Sequence, residues 1–332
     1  MSSDGLSAGH VYGHKNQRGA KRHDVLFSSR LSRPDGTVIT PFWKHPIPPI
    51  VVRRNVILAS VLLAGCAALG IDPEAFEPRP AAIASDTTTR LAAGTWVSPE
   101  GTRIRFAIVV PPMLPGDHLP LILALHGAAA TKDSVPPWFG QQSLEALFGP
   151  ALRPLGAVII APDAPRNNWT DPVAERAMLA LVVEMKRRYP IDERRTMVTG
   201  FSMGGMGAWF LAHRHPQVFR AAVPLTSFPL IRPTSIDRLG LTSAYNEMAN
   251  DASGAWAERF RGVPVYAIHS RQDESVPFAF ESTLVSRIKA RGGPVEFVAL
   301  DSLKHNPAWP YQSALRAAVP WIRRQWARPN DK

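Results

Sequence analysis

From residue 95 onward, short runs of apolar residues alternate with stretches in which apolar side chains recur every three or four positions. The runs predict strands at residues 95–97, 103–110, 119–125, 156–161, 195–199, 221–225, 263–269 and 295–300. The helical spacing predicts helices over 171–189, 203–213, 278–291 and 309–326, the third closed by Gly292-Gly293. The first two strands flank Pro99-Glu100-Gly101 and predict a hairpin. Runs such as Leu121-Ile122-Leu123-Ala124-Leu125 are apolar at every position, so both faces of those strands need covering. This order predicts a single α/β domain over 91–328, with a mostly parallel central sheet and helices on both faces. Between residues 226 and 262 neither period is sustained.

The first 90 residues have a different texture. Residues 1–50 are rich in Gly, Ser, His, Arg and Pro and are expected to be a disordered tail. Arg53-Arg54 then precedes an apolar run over 56–64, too short for a membrane-spanning helix and ordered like a signal peptide over 51–65. The run ends in Leu63-Ala64-Gly65-Cys66, which resembles the lipobox of bacterial lipoproteins. That resemblance implies a lipid on Cys66, a membrane anchor and a place in the bacterial cell envelope, on its periplasmic or extracellular face. Such leaders normally start within a few residues of the chain start; translation from Val51 or Val52 would restore that spacing, with residues 1–50 not translated. The alternative is a short buried helix that happens to end in Cys66. Residues 66–90, with Pro73, Pro78 and Pro80, read as a linker.

Composition adds little to this picture except through charge. The net charge of +11 suggests a polyanion partner. Nine Lys/Arg against three Asp up to Arg54 put +6 of it ahead of the α/β domain, however, and the later basic pairs fall near predicted helix ends. No nucleic-acid role is expected. Cys66 is the one cysteine, so no internal disulfide forms.

The chemistry gathers around Gly200-Phe201-Ser202-Met203-Gly204, where a predicted strand runs straight into a predicted helix. A serine between two glycines on so tight a turn is lifted clear of the sheet, above the helix's first amides. A serine hydroxyl needs a base, and the base needs an orienting carboxylate. Asp273 follows the 263–269 strand and His305 follows the 295–300 strand, both at carboxyl ends, where sites of such sheets lie. Glu274 is the alternative acid, and Asp273 then a loop cap; His305 has the alternative of a plain surface histidine. His213, His215 and His269 read as structural residues, and Asp163 as a turn residue.

With Tyr189-Pro190-Ile191-Asp192 ahead of the elbow and Asp273-Glu274-Ser275-Val276-Pro277 after it, residues 95–326 resemble the serine α/β-hydrolases, nearest the carboxylesterase and phospholipase-like branch that includes secreted peptidases. The branch often opens its acid loop with His-Gly, where this chain has His269-Ser270. The resemblance implies Ser202 as nucleophile, His305 as base and then acid, and Asp273 as the carboxylate. It also implies the amides of Ala128, after His126-Gly127, and Met203 as oxyanion donors; no metal cluster or phosphate loop stands out in the sequence, and no cofactor is expected. Trp138, Trp169, Phe228 and Trp309 fall in loops on the same side and are candidates for a substrate pocket, with core packing as the alternative for each. Residues 226–262 are expected to form a small cap. The activity expected is hydrolysis of small-molecule or lipid carboxylic esters; a peptidase or amidase shares the same residues, and a lipid-anchored binding protein on an inactive fold is the third alternative.

Overall fold

The computed structural model describes residues 89–128 and 139–328. The expected tail over 1–50, the expected leader over 51–65, Cys66 and Trp138 lie outside the described residues. Eight strands form one sheet: β1 (Arg90–Val97), β2 (Arg103–Val110), β3 (Leu119–Leu125), β4 (Val158–Pro162), β5 (Ile191–Phe201), β6 (Ala221–Leu225), β7 (Val265–Ser270) and β8 (Val295–Leu300). Their spatial order is β1-β2-β4-β3-β5-β6-β7-β8. The pairs β1/β2 and β2/β4 are antiparallel, and all later pairs are parallel.

Alternation along the strands sorts side chains into two cores. Strand β3 sends Leu121, Leu123 and Leu125 to one face and Ile122 and Ala124 to the other. The first face is covered by α1 (Pro172–Arg188), α2 (Met203–Arg214) and α4 (Phe278–Ala290), which bring Met178, Trp209 and Leu284 into that core. The second is covered by α5 (Gln312–Ala317), α6 (Val319–Trp326) and a run of short helical turns over residues 139–155, with Leu315, Trp321 and Phe148 buried there. Helix α1 starts where expected because the Asp171 carboxylate accepts from the Val173 amide at 2.7 Å, a cap worth about 1 kcal/mol.

Three departures from the sequence reading have local causes. The closing helix is two helices broken at Ala318, because Pro320 lacks the amide that an unbroken helix needs there. The turns over 139–155 escape detection because Gly149, Pro150 and Pro154 interrupt any long helical period. Residues 226–262 contain α3 (Arg238–Asn250) and a 3₁₀ segment, Ala255–Arg261, and are fastened to α4. Tyr245 stacks on Phe280 at 3.8 Å between ring centroids, and the Arg287 guanidinium donates to the carbonyls of Met248, Ala249 and Asp251. Arg287 thus satisfies carbonyls that the end of α3 leaves open.

Candidate active site

Strand β5 lies in the middle of the sheet and passes into α2 through Ser202, whose φ of 55° and ψ of −117° lie outside the ordinary regions for an L-residue. Such a conformation costs of order 1–3 kcal/mol and survives only where surrounding contacts hold it. Here the Ser202 amide donates to Leu225 O of β6 at 2.9 Å, and the Met206 amide donates to Ser202 O at 3.0 Å. The flanking glycines are sterically required. A Cβ on Gly200 would sit 2.1 Å from Gly204 O, and one on Gly204 would sit 2.0 Å from Leu125 O.

Two loops bring the other groups to this turn. His305 Nε2 lies 2.8 Å from Ser202 Oγ, and His305 Nδ1 lies 2.7 Å from Asp273 Oδ2. Both His305 and Asp273 are buried, whereas Ser202 is partly exposed. Burial opposes ionisation of Asp273, but hydrogen bonds from His269, His305 and the Val276 amide outweigh it and hold the carboxyl well below the usual carboxylate range. An ionised Asp273 only accepts, so Nδ1 of His305 carries the proton, and Nε2 of the neutral ring accepts from the serine hydroxyl. The alternative acid is placed elsewhere: Glu274 Oε2 accepts from the backbone amide of His305 at 3.3 Å. Phe201 packs against the His305 ring at 5.3 Å, and Tyr311 donates to Lys304 O, bracing the histidine loop from below.

The His126-Gly127-Ala128 turn is held from several sides. His126 Nδ1–H donates to Gly127 O at 2.6 Å, Nε2 accepts from the Ala164 amide at 3.0 Å, and His126 O accepts from Trp169 Nε1 at 2.9 Å. Burial lowers the His126 pKa, against the raising effects of Gly127 O and Asp163, which fits a ring that donates on one side and accepts on the other. Asp163 is a turn residue that accepts from the Gly140 amide at 2.8 Å and pairs with Arg105. Ala128 and Met203 both border a cavity that opens at Ser202.

That cavity holds about 470 Å³, and its apolar wall comes from Phe139, Met206, Ile236, Leu241, Val276 and Ala308. Here the sequence reading needs correction. Trp169 and Phe228 are fully buried in the core and line no part of the cavity. Trp169 is drawn inward by its bond to His126 O, and Phe228 packs edge-on against Phe280. Trp309 stays 54% exposed, and its neighbour Ala308 forms the wall instead. Of the expected cap, only Ile236 and Leu241 reach the cavity.

A second buried cluster stands behind Asp273. His269 Nδ1 is 2.8 Å from Glu281 Oε2, and His269 Nε2 is 3.0 Å from Val276 O and 3.4 Å from Asp273 Oδ2. Trp209 Nε1 donates to Glu281 Oε1 at 2.8 Å. From the sequence His269 reads as a structural residue, and Glu281 belongs to no motif. The available signal was a glutamate in the first turn of α4 on the helix face that carries Leu284 and Ile288. His213 and His215 do lie away from Ser202: His213 packs on Phe260, and His215 bonds Glu175 at 2.7 Å. Among the described residues, no group of three or more His, Cys, Asp or Glu side chains is arranged to hold a metal ion.

A sequence profile for the alpha/beta hydrolase fold matches residues 120–311, more than half of the chain. The chain belongs to the α/β-hydrolase fold family. This α/β-hydrolase chain is also similar in fold to several solved enzymes. One is a thermostable esterase, at 22% identity and a TM-score of 0.54, over 70% of this chain and 62% of that one. A ferulic acid esterase matches at 19% identity and 0.55, over 73% of this chain and all of that one. An S-formylglutathione hydrolase from Agrobacterium tumefaciens matches at 15% identity and 0.54, over 74% and 99%. No curated protein sequence gives a significant match.

Proposed function

We propose that this α/β-hydrolase is a serine esterase that cleaves carboxylic esters through an acyl-Ser202 intermediate. The observation that carries this reading is the unbroken line from Asp273 through His305 to Ser202 Oγ, with Ser202 bordering a cavity of largely apolar wall. His305 Nε2 takes the hydroxyl proton as Oγ attacks the ester carbonyl, and Asp273 stabilises the resulting imidazolium. The amides of Ala128 and Met203 receive the oxyanion, the second from the first turn of α2, where helix amides have no carbonyl partner. His305 then returns the proton to the departing alkoxide, and water cleaves the acyl-enzyme by the same route in reverse.

Esters are favoured over amides on two grounds. An alkoxide leaves a tetrahedral intermediate readily, whereas an amine must be protonated as it leaves. A peptide must also be held in register, and residues 226–262 contribute only two apolar side chains to the cavity wall. The esterase is further proposed to be anchored in the cell envelope through lipid on Cys66, on the support of the basic and apolar order of residues 53–66. Intact mass of the native protein tests the anchor, with lipid on Cys66 and residues 1–65 absent expected.

Activity profiling tests the reaction. A fluorophosphonate probe is expected to label Ser202 and no other serine, and short or medium aryl esters are expected to turn over far faster than the matching anilides. Labelling of another serine would remove the nucleophile, and efficient peptide cleavage would turn the reading to a peptidase.

A further inference from the structure

Asp273 is bound on both oxygens. Oδ1 accepts from the amides of Ser275 and Val276 at 2.9 and 2.8 Å, and Oδ2 faces two imidazoles, His305 at 2.7 Å and His269 at 3.4 Å. The carbonyl of Val276 can only accept, so the proton on His269 Nε2 is fixed by its bond there. On the far side of the ring, Nδ1 meets Glu281, which is itself fixed by the Trp209 indole. His269 and Glu281 are both wholly inaccessible to solvent. A lone carboxylate there would carry a large desolvation cost, which pairing offsets.

We infer that His269, held as an imidazolium by Glu281, is a positioning residue that fixes Asp273 and the 273–276 turn for His305. The inference rests on the proposed hydrolase reading for its purpose, since His269 touches none of the reacting atoms. It divides the work of the two imidazoles on Asp273 Oδ2: His305 moves a proton to and from Ser202, while His269 keeps its own proton and adds positive charge. The titratable groups packed around it are Asp273 from the turn after β7 and Glu281 from α4, with His305 and Tyr311 beyond Asp273. Burial lowers the His269 pKa, but the bonds with Asp273 and Glu281 prevail and raise it to about 9. Burial also raises the carboxyl of Glu281, against the pull of His269. The imidazolium form is the one that serves both carboxylates at once, and the pair keeps a single proton between them.

Two substitutions separate the donor from the bulk of the ring. In His269→Gln the side-chain amide reaches the Nε2 position and still donates; in His269→Leu nothing does. The low-field proton NMR signal of His305 Nδ1–H, recorded on the purified full chain, reports the His305–Asp273 bond without any substrate. It is expected to persist in His269→Gln and to be lost in His269→Leu, where kcat for an aryl ester falls about a hundredfold with KM little changed. A signal and kcat unchanged in His269→Leu overturn the inference, and so does equal loss in both variants.

Should His269→Leu fail to fold, Glu281→Gln decides. Its amide keeps the bond to Trp209 and donates to Nδ1, leaving His269 uncharged with its Nε2 proton in place. The pH below which the low-field signal disappears is then expected to rise, and an unmoved value overturns the inference. A wild-type chain that shows the signal but neither labels at Ser202 nor cleaves esters defeats the hydrolase reading alone.

Discussion

Ser202 and His305 are 103 residues apart in the chain and 2.8 Å apart at Oγ and Nε2. Two separate connections achieve this. The elbow is built from β5 and α2, and the histidine loop follows the last strand, seated on Phe201 and Tyr311.

The three groups act as a unit in the proposed reaction, so their losses do not add. Ser202→Ala is expected to lower kcat by about 10⁶ and Asp273→Asn by about 10⁴. Ser202→Ala combined with His305→Ala is expected to cost no more than Ser202→Ala alone. Steady-state kinetics on one aryl ester checks all three; additive losses would mean that Ser202 and His305 do not work together.

Folding stability is expected to fall on the alkaline side. The folded-state pKa of His269, at about 9, lies above the unfolded value of about 6.5, so the pair with Glu281 holds a proton that the unfolded chain releases. The contribution is complete below pH about 6.5 and is lost as pH rises through about 9, at roughly 1.4 kcal/mol per pH unit between them. Asp273 acts in the opposite sense: its lowered pKa gives stability above the unfolded carboxyl value that is lost in acid. Urea titrations across pH 6–10 check this, with the alkaline slope absent in His269→Gln.

Acyl length is expected to be set by Ile236 and Leu241, which close the cavity from the α3 side. Leu241→Trp fills part of the 470 Å³ and is expected to reduce kcat/KM for octanoyl esters at least tenfold relative to acetyl esters. A kinetic series over chain length reads the ratio directly. Equal effects on both esters would place the acyl group elsewhere.

Trp169 is expected to matter for stability rather than for substrate fit. Trp169→Phe leaves His126 O without its indole donor and is expected to cost about 1–3 kcal/mol. Gly204→Ala is expected to be worse, since its Cβ meets the Leu125 carbonyl at 2.0 Å and the backbone must shift. Thermal melts order the two variants, and chain-length preference measured on Trp169→Phe is expected to match the wild type.

Most of the sheet was legible because a strand's pattern depends on its own neighbours. Residues 119–125, 221–225 and 295–300 were bounded correctly from apolar runs alone. The turns over 139–155 were not, as their amphipathic period never runs long enough to register. The elbow was legible for a steric reason, since only glycine fits at positions 200 and 204 beside so sharp a turn.

By itself, then, the sequence determined the α/β order and the elbow, because backbone sterics and local periodicity act over a few residues, and it set Ser202, Asp273 and His305 in the chain order that the proposed reaction uses. The sequence pointed to Asp273 only through a resemblance and left Glu274 as the alternative; the tertiary structure turns Asp273 to the imidazole and Glu274 to the His305 amide, since adjacent carboxylates differ only in how the loop is turned. The tertiary structure alone decided that Phe139, Ile236 and Leu241 form the wall while Trp169 and Phe228 are core, since a cavity is bounded by segments far apart in sequence. It also joined His269 to Glu281 behind Asp273, because a buried charge takes the partner that packing sets within reach, and no sequence spacing announces which one that will be.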